Sequence, residues 1–170
     1  MSNQDNPHGF LPVGSLNGSP DIVRMYVKAA ADTRLGIGDL VNISGALNTV
    51  TRSAAAGPFL GPSLAFSTAA AAGTIPVLIC NKMKLLEAQE SGNIGTAAEG
   101  LNANITVADC SLITGRSQME IDSDTENTTN TLDVHIYQVA PYVDNDGTFT
   151  NARWFVQIND SSVADLKAGV

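Results

Sequence analysis

The sequence predicts a mainly β protein, a compact antiparallel β-sandwich or β-barrel of about eight to ten short strands. Three observations lead there. Two C-terminal runs, residues 131–139 and 152–159, alternate apolar and polar side chains with a period of two. Turn residues recur at short intervals along the chain. Only 15% of the residues are charged and 5% aromatic, while Asn, Thr, Ser and Gly abound, which suits polar β-surface and turns better than helices laced with ion pairs.

In the first run Leu132, Val134 and Ile136 share a parity against Asp133, His135 and Tyr137; in the second, Trp154, Val156 and Ile158 oppose Arg153, Gln157 and Asn159, with Phe155 breaking the rule. Successive strand side chains point to opposite faces, so both runs read as half-buried strands, expected as an antiparallel pair around which the others assemble. Trp154, the only tryptophan, offers the largest single apolar area for burial.

Taken in order, residues 1–20 hold three prolines with several Asn, Gly and Ser residues, which excludes a helix. Their apolar side chains (Phe10, Leu11, Val13 and Leu16) are too many for a solvated tail. Two readings fit: a leader packed on its own domain, or an extended arm over a neighbouring subunit. Residues 21–29 follow as a strand, with Val23, Met25 and Val27 opposite Arg24, Tyr26 and Lys28. A turn at Gly36-Ile37-Gly38-Asp39 leads to strands at 40–44 and 47–52. The alanine- and glycine-rich stretch 53–73 contains Pro58 and Pro62 and no alanine run longer than four, so it is expected as a long loop with at most one helical turn.

Residues 74–80 read as a buried strand with Pro76 near its start or at an edge. Residues 82–90 admit a short helix (Leu85, Leu86, Ala88) or a strand (Met83, Leu85, Glu87), and the β-like flanks favour the strand. Polar loops are expected at 92–101 and 122–130, with short strands at 102–107 and 118–121. The chain is expected to divide into an extended N-terminal arm (1–20), a single β-rich domain (21–160) and a C-terminal tail (161–170).

A chain of 170 residues suits about one domain and a self-sufficient core. The formal net charge is −8, from 17 acidic and 9 basic residues with no Lys/Arg cluster. That argues against direct nucleic-acid binding, which needs several cations on one face. Acidic balance suits solubility or docking on a basic protein surface. Residues 63–80, the least polar long stretch, are too interrupted by Ser, Thr, Gly and Pro to span a membrane. The N-terminal residues lack a basic and an apolar signal region, so Cys80 and Cys110 are expected as free, buried thiols rather than a disulfide.

Nothing in the sequence forms a catalytic or cofactor motif. His8 and His135 are the only histidines and stand far apart, with no zinc-ligand spacing. No Gly-x-Ser-x-Gly elbow and no P-loop occur, and Gly36-x-Gly38 lacks the third glycine of a dinucleotide loop. Asp122-Ser-Asp124-Thr-Glu126 offers oxygen ligands, but Asn127 stands where a calcium loop needs glycine. A non-enzymatic protein without metal or cofactor is expected.

Several segments do resemble a known group. They are Asn6-Pro7-His8-Gly9-Phe10 with Leu16-Asn17-Gly18-Ser19-Pro20, then Gly100-Leu101-Asn102-Ala103-Asn104-Ile105, then Met119-Glu120-Ile121-Asp122-Ser123, and finally residues 151–159. In this order they resemble the small head decoration (cement, or minor capsid) proteins of tailed bacteriophages. The resemblance implies a structural virion protein on the capsid exterior, assembled in the host cytoplasm, that reinforces contacts between major capsid subunits. Its partners would be the major capsid protein and further copies of itself, as a dimer or trimer. The leader would carry the interface through Asn6, Pro7, His8, Phe10, Leu11, Pro12, Val13 and Leu16, clamping neighbouring subunits as an arm. A virion-surface domain that binds the host or a glycan is the alternative; a major shell-forming subunit fits poorly with so small a β-core.

Overall fold

A computed structural model describes residues 3–29, 34–44, 48–68 and 73–163. The protein is mainly β, as the alternation requires, with twelve strands among the described residues. They are β1 (Leu11–Ser15), β2 (Val23–Lys28), β3 (Leu40–Ile43), β4 (Thr49–Arg52), β5 (Gly61–Pro62), β6 (Thr74–Leu78), β7 (Lys84–Gln89), β8 (Asn102–Ala103), β9 (Ile105–Thr106), β10 (Glu120–Ile121), β11 (Val134–Val139) and β12 (Arg153–Ile158). One five-stranded sheet runs β1-β7-β12-β11-β8, a second runs β5-β3-β4-β2-β6, and β9 pairs with β10 as a ribbon. Pairing is antiparallel except between β2 and β4.

The β11–β12 pair forms as its alternation demands. Val134, Ile136, Trp154, Val156 and Ile158 all turn into the main core, which also takes Leu86 and Ala88 of β7 and Met119 and Ile121 near the ribbon. A register shift between Ile136 and Gln138 marks a bulge, which re-aims the strand end. Phe155, the residue out of pattern, packs edge-on against Tyr142 with ring centroids 6.2 Å apart. A second cluster of Tyr26, Leu35, Val41, Val50, Leu60, Ile75 and Val77 fills one face of the second sheet, while Leu40 and Leu78 turn to the main core.

The leader is not an extended arm. Phe10 is wholly buried in the main core, its N–H donates to Gly38 O at 2.9 Å, and β1 pairs with β7 as the edge strand of the first sheet. Further upstream, Asn3 exchanges hydrogen bonds with the backbone of Asp146. The sequence favours this outcome once packing is considered, because an extended Pro-rich segment with a phenylalanine can satisfy both backbone and ring on an open sheet edge. Gly9 makes the approach possible. It sits at φ 72°, and a Cβ there would run into Ser117 and the Gly38 carbonyl.

One strand turns opposite to its hydropathy, and another buries a lysine within its apolar row. On β2 Tyr26 and Lys28 are buried, while Val23, Met25 and Val27 are 49%, 52% and 39% exposed. On β7, as a strand, Lys84 is buried with Leu86 and Ala88, because its ammonium donates to the carbonyls of Ser19 and Pro20 and pairs with Asp21 at 2.8 Å. A buried cation is tolerable only with such partners.

The stretch 53–73 contributes more than a loop. Phe59 and Leu60 are buried, and β5 pairs with β3. Residues 69–72, where a helical turn was conceivable, lie outside the described residues. Within 92–101 a single 3-10 turn spans Thr96–Ala98. Of the expected tail, Ser161 is buried and donates to Cys80 O, Ser162 donates to Phe59 O, Val163 is exposed, and residues 164–170 lie outside the described residues. Cys80 and Cys110 are both free and buried. No helix among the described residues is long and apolar enough to cross a membrane.

Candidate functional site

The outer face of the first sheet is polar where its inner face is core. Register places Glu87 opposite both Leu11 and Phe155, and Gln89 opposite Arg153. Directly opposed residues share a face, so these five side chains point the same way, away from Leu86, Ala88, Trp154 and Val156. Residues 3–8 fold back over this face, and the loop 144–151 closes it from the other side. Between them lies a cavity of about 220 Å³ with a nearly all-polar lining.

Gln89 fixes the floor. Its Oε1 accepts from the N–H of Asn6, and its Nε2 donates to the carbonyls of Gln4 and Asn151 at 2.7 and 2.9 Å. One buried amide therefore ties leader, sheet and loop together. Beside it Glu87 Oε2 accepts from the Tyr142 hydroxyl at 2.6 Å, and Oε1 lies 3.3 Å from His8 Nε2. Burial pushes the Glu87 carboxyl up, but the His8 ring and the Tyr142 hydroxyl outweigh it and hold the group below its ordinary value. The Arg153 guanidinium stacks over the Tyr142 ring, 4.6 Å from its centroid, and pairs with Asp144.

His8 is 6% exposed, and its Nδ1 lies 3.1 Å from Asn6 O. A carbonyl can only accept, so Nδ1 carries the proton. Nε2 is buried and within ion-pair range of Glu87. Close to the leader, Glu120 is pushed up to about 7, by burial first and by Asp5 second, with His8 acting in the opposite sense.

The eight leader residues expected at an interface separate into two groups. Phe10 and His8 are buried, Pro7 is half-buried, and Asn6 is exposed but on the rim of the cavity. Leu11 is half-buried, whereas Pro12 and Val13 lie exposed on β1 and Leu16 lies exposed just past its end. A register shift between Pro12 and Gly14 aims Val13 outward. Missing from the sequence reading were Glu87, Gln89, Asn151 and Arg153. The alternation on β7 and β12 did place Gln89 and Arg153 on strands, but only the pairing register shows that they meet.

His135 is half-buried against Asn102, its Nδ1 3.2 Å from Asn102 Oδ1. Asp122 serves its own turn, accepting from the N–H of Asp124. No group of three or more metal-ligating side chains forms among the described residues. Comparison with protein families, curated proteins and solved structures finds no match for this chain.

Proposed function

We propose that the chain is a non-catalytic structural virion protein that docks on the outer surface of a phage capsid and reinforces contacts between major capsid subunits. The observation that carries this reading is the outward apolar row of β2. Register pairs Val23 with Leu78, Met25 with Pro76 and Val27 with Thr74, so the row shares the face on which Leu78 enters the main core. The row therefore continues a core-facing surface beyond the part that the first sheet covers. Turning apolar parity outward while burying Lys28 forgoes hydrophobic stabilisation in an isolated chain. Contact with another protein surface restores it.

The decoration-protein motifs support the same reading, and so does the −8 charge, which favours docking on a basic surface. With the leader folded into its own sheet, its share of the contact reduces to the exposed Pro12, Val13 and Leu16. Repetition over a shell converts weak single contacts into high total stability. Copies of the protein then meet the capsid as a dimer or trimer.

The test mixes purified protein with decoration-free capsids of its own phage and images them for symmetric added density. Wild type is expected to decorate, and Met25→Lys to lose occupancy while unfolding at the same temperature. Equal occupancy by the variant removes β2 from the interface. A variant that decorates normally but changes oligomer size makes the row a contact between copies instead.

A further inference from the structure

We propose that the turn after β1 is a site of spontaneous covalent modification. There the Asn17 side-chain amide closes a cyclic imide with the Gly18 nitrogen and opens to aspartate and isoaspartate, and the isoaspartyl form slackens the anchor of the buried Lys84. The proposal is independent of capsid docking, since the chemistry takes place within one chain.

The residue types come first. Asn17-Gly18 is the only asparagine–glycine pair in the chain. Imide formation needs the main-chain nitrogen of the next residue to reach the side-chain carbon, and glycine alone puts no side chain in the way. Both residues are exposed, and a Cβ at Gly18 would meet nothing within 4 Å, so the ring has room to form and ammonia to leave.

Hydrogen bonding prepares the amide. Asn17 Oδ1 accepts from Ser15 Oγ at 2.6 Å, from Ser19 Oγ at 2.6 Å and from Ser19 N at 3.1 Å. An N–H only donates, so the Ser19 bond identifies the gripped atom as oxygen rather than nitrogen. That bond also folds the side chain back along its own main chain, over the peptide that carries the attacking nitrogen. Three donors on one carbonyl oxygen stabilise the negative charge it takes on when its carbon is attacked. The Gly18 N–H itself is held loosely, by a 3.3 Å bond to Ser15 O. Asn127 is the internal contrast. Its Oδ1 accepts from Thr128 Oγ1, Thr129 N and Thr129 Oγ1 at 3.4, 3.3 and 3.2 Å, but the β-branched Thr128 crowds the nitrogen that would attack.

The step balances with water as the only co-reactant. Solvent base removes the Gly18 N–H proton, the bond from Gly18 N to Asn17 Cγ forms, and the Cγ–Nδ2 bond breaks, the nitrogen leaving as ammonia. Water then opens the imide at either carbonyl. One opening gives aspartate; the other routes the main chain through the side-chain carbon and lengthens it by one methylene. The longer link falls just ahead of Ser19 and Pro20, whose carbonyls accept from Lys84 Nζ at 2.8 and 2.9 Å beside the Asp21 pair. Lys84 is buried, and an ammonium that loses such partners is costly to keep there.

The experiment ages the intact protein at physiological temperature in mildly alkaline, heavy-oxygen water and maps its peptides by mass spectrometry. The fragment bearing Asn17 is expected to exchange its amide for an acid carrying one heavy oxygen, in aspartyl and isoaspartyl forms, while Asn127 keeps its amide. Ser15→Ala and Ser19→Ala should each slow the conversion about fivefold, the factor that one ordinary hydrogen bond is worth. The isoaspartyl fraction, separated by chromatography, should unfold at lower urea than Asn17→Asp, which carries the same charge on an ordinary main chain. The proposal is overturned if Asn17 keeps its amide, if Asn127 converts as fast, if both serine variants convert at the wild-type rate, or if the isoaspartyl fraction is as stable as Asn17→Asp.

Discussion

Replacing Phe10 with alanine separates a folded leader from a free arm. The ring is fully buried among Leu40, Trp154 and their neighbours, and the adjoining backbone is bonded to Gly38. Truncating a buried phenylalanine costs about 3–5 kcal/mol, from lost transfer energy and the cavity left behind. Against a total stability of about 5–15 kcal/mol this is a large fraction. At roughly 2–4 °C per kcal/mol for a chain of this length, the melting temperature should fall by about 6–20 °C. Circular dichroism and the fluorescence of Trp154 report the same transition, since that indole shares the core with Phe10. Val13→Ala, on the exposed side of β1, should move stability by no more than about 0.5 kcal/mol. Were Phe10→Ala to melt within about 2 °C of wild type, the leader would not be part of the core, and the site beneath it would not exist.

Three further outcomes follow from buried polar groups. Glu90 accepts from Trp154 Nε1, Ile94 N and Ala152 N, so Glu90→Ala orphans three donors and should cost about 3 kcal/mol or more, with Glu90→Gln milder; denaturant titration ranks them, and a Glu90→Ala protein as stable as wild type contradicts the network. The folded state raises the Glu120 carboxyl to about 7, so it binds more protons than the unfolded chain between the ordinary carboxylate value and neutrality, and stability falls as pH rises through that window. Glu120→Gln should therefore be the more stable protein near about pH 8 and equal to wild type near about pH 4, as urea melts at each pH can show. Burial pushes the Cys80 thiol up to about 12, so a thiol reagent at about pH 8 should label it only on unfolding; rapid labelling of the native protein would place Cys80 at the surface.

The β11–β12 pair was legible because side-chain alternation is local: each residue announces its face through its neighbours two positions away. Phe155 looked like an error in that pattern and is instead a side chain with its own partner, Tyr142, on the outer face. On β7 and β2 the same rule named the strands but not their buried faces. Lys84 goes inward because the Ser19 and Pro20 carbonyls and Asp21 wait for it, some sixty residues away. The candidate site was less legible still. His8 stood out as a rare residue, but the cavity needs leader, β7, β12 and the 144–151 loop together, and no local spacing records that meeting.

Composition and periodicity by themselves determined a β protein of low charge, its C-terminal strand pair, its turns and its two lone thiols, because these depend on properties that act within a few residues. Tertiary structure alone decided that the leader is an edge strand with Phe10 in the core, that β2 turns its apolar parity outward, and that Glu87, Gln89 and His8 share one cavity. The physical reason is that strand pairing and burial are settled between segments distant in sequence, where a buried cation's partners or an open sheet edge can outweigh the hydropathy of any one run.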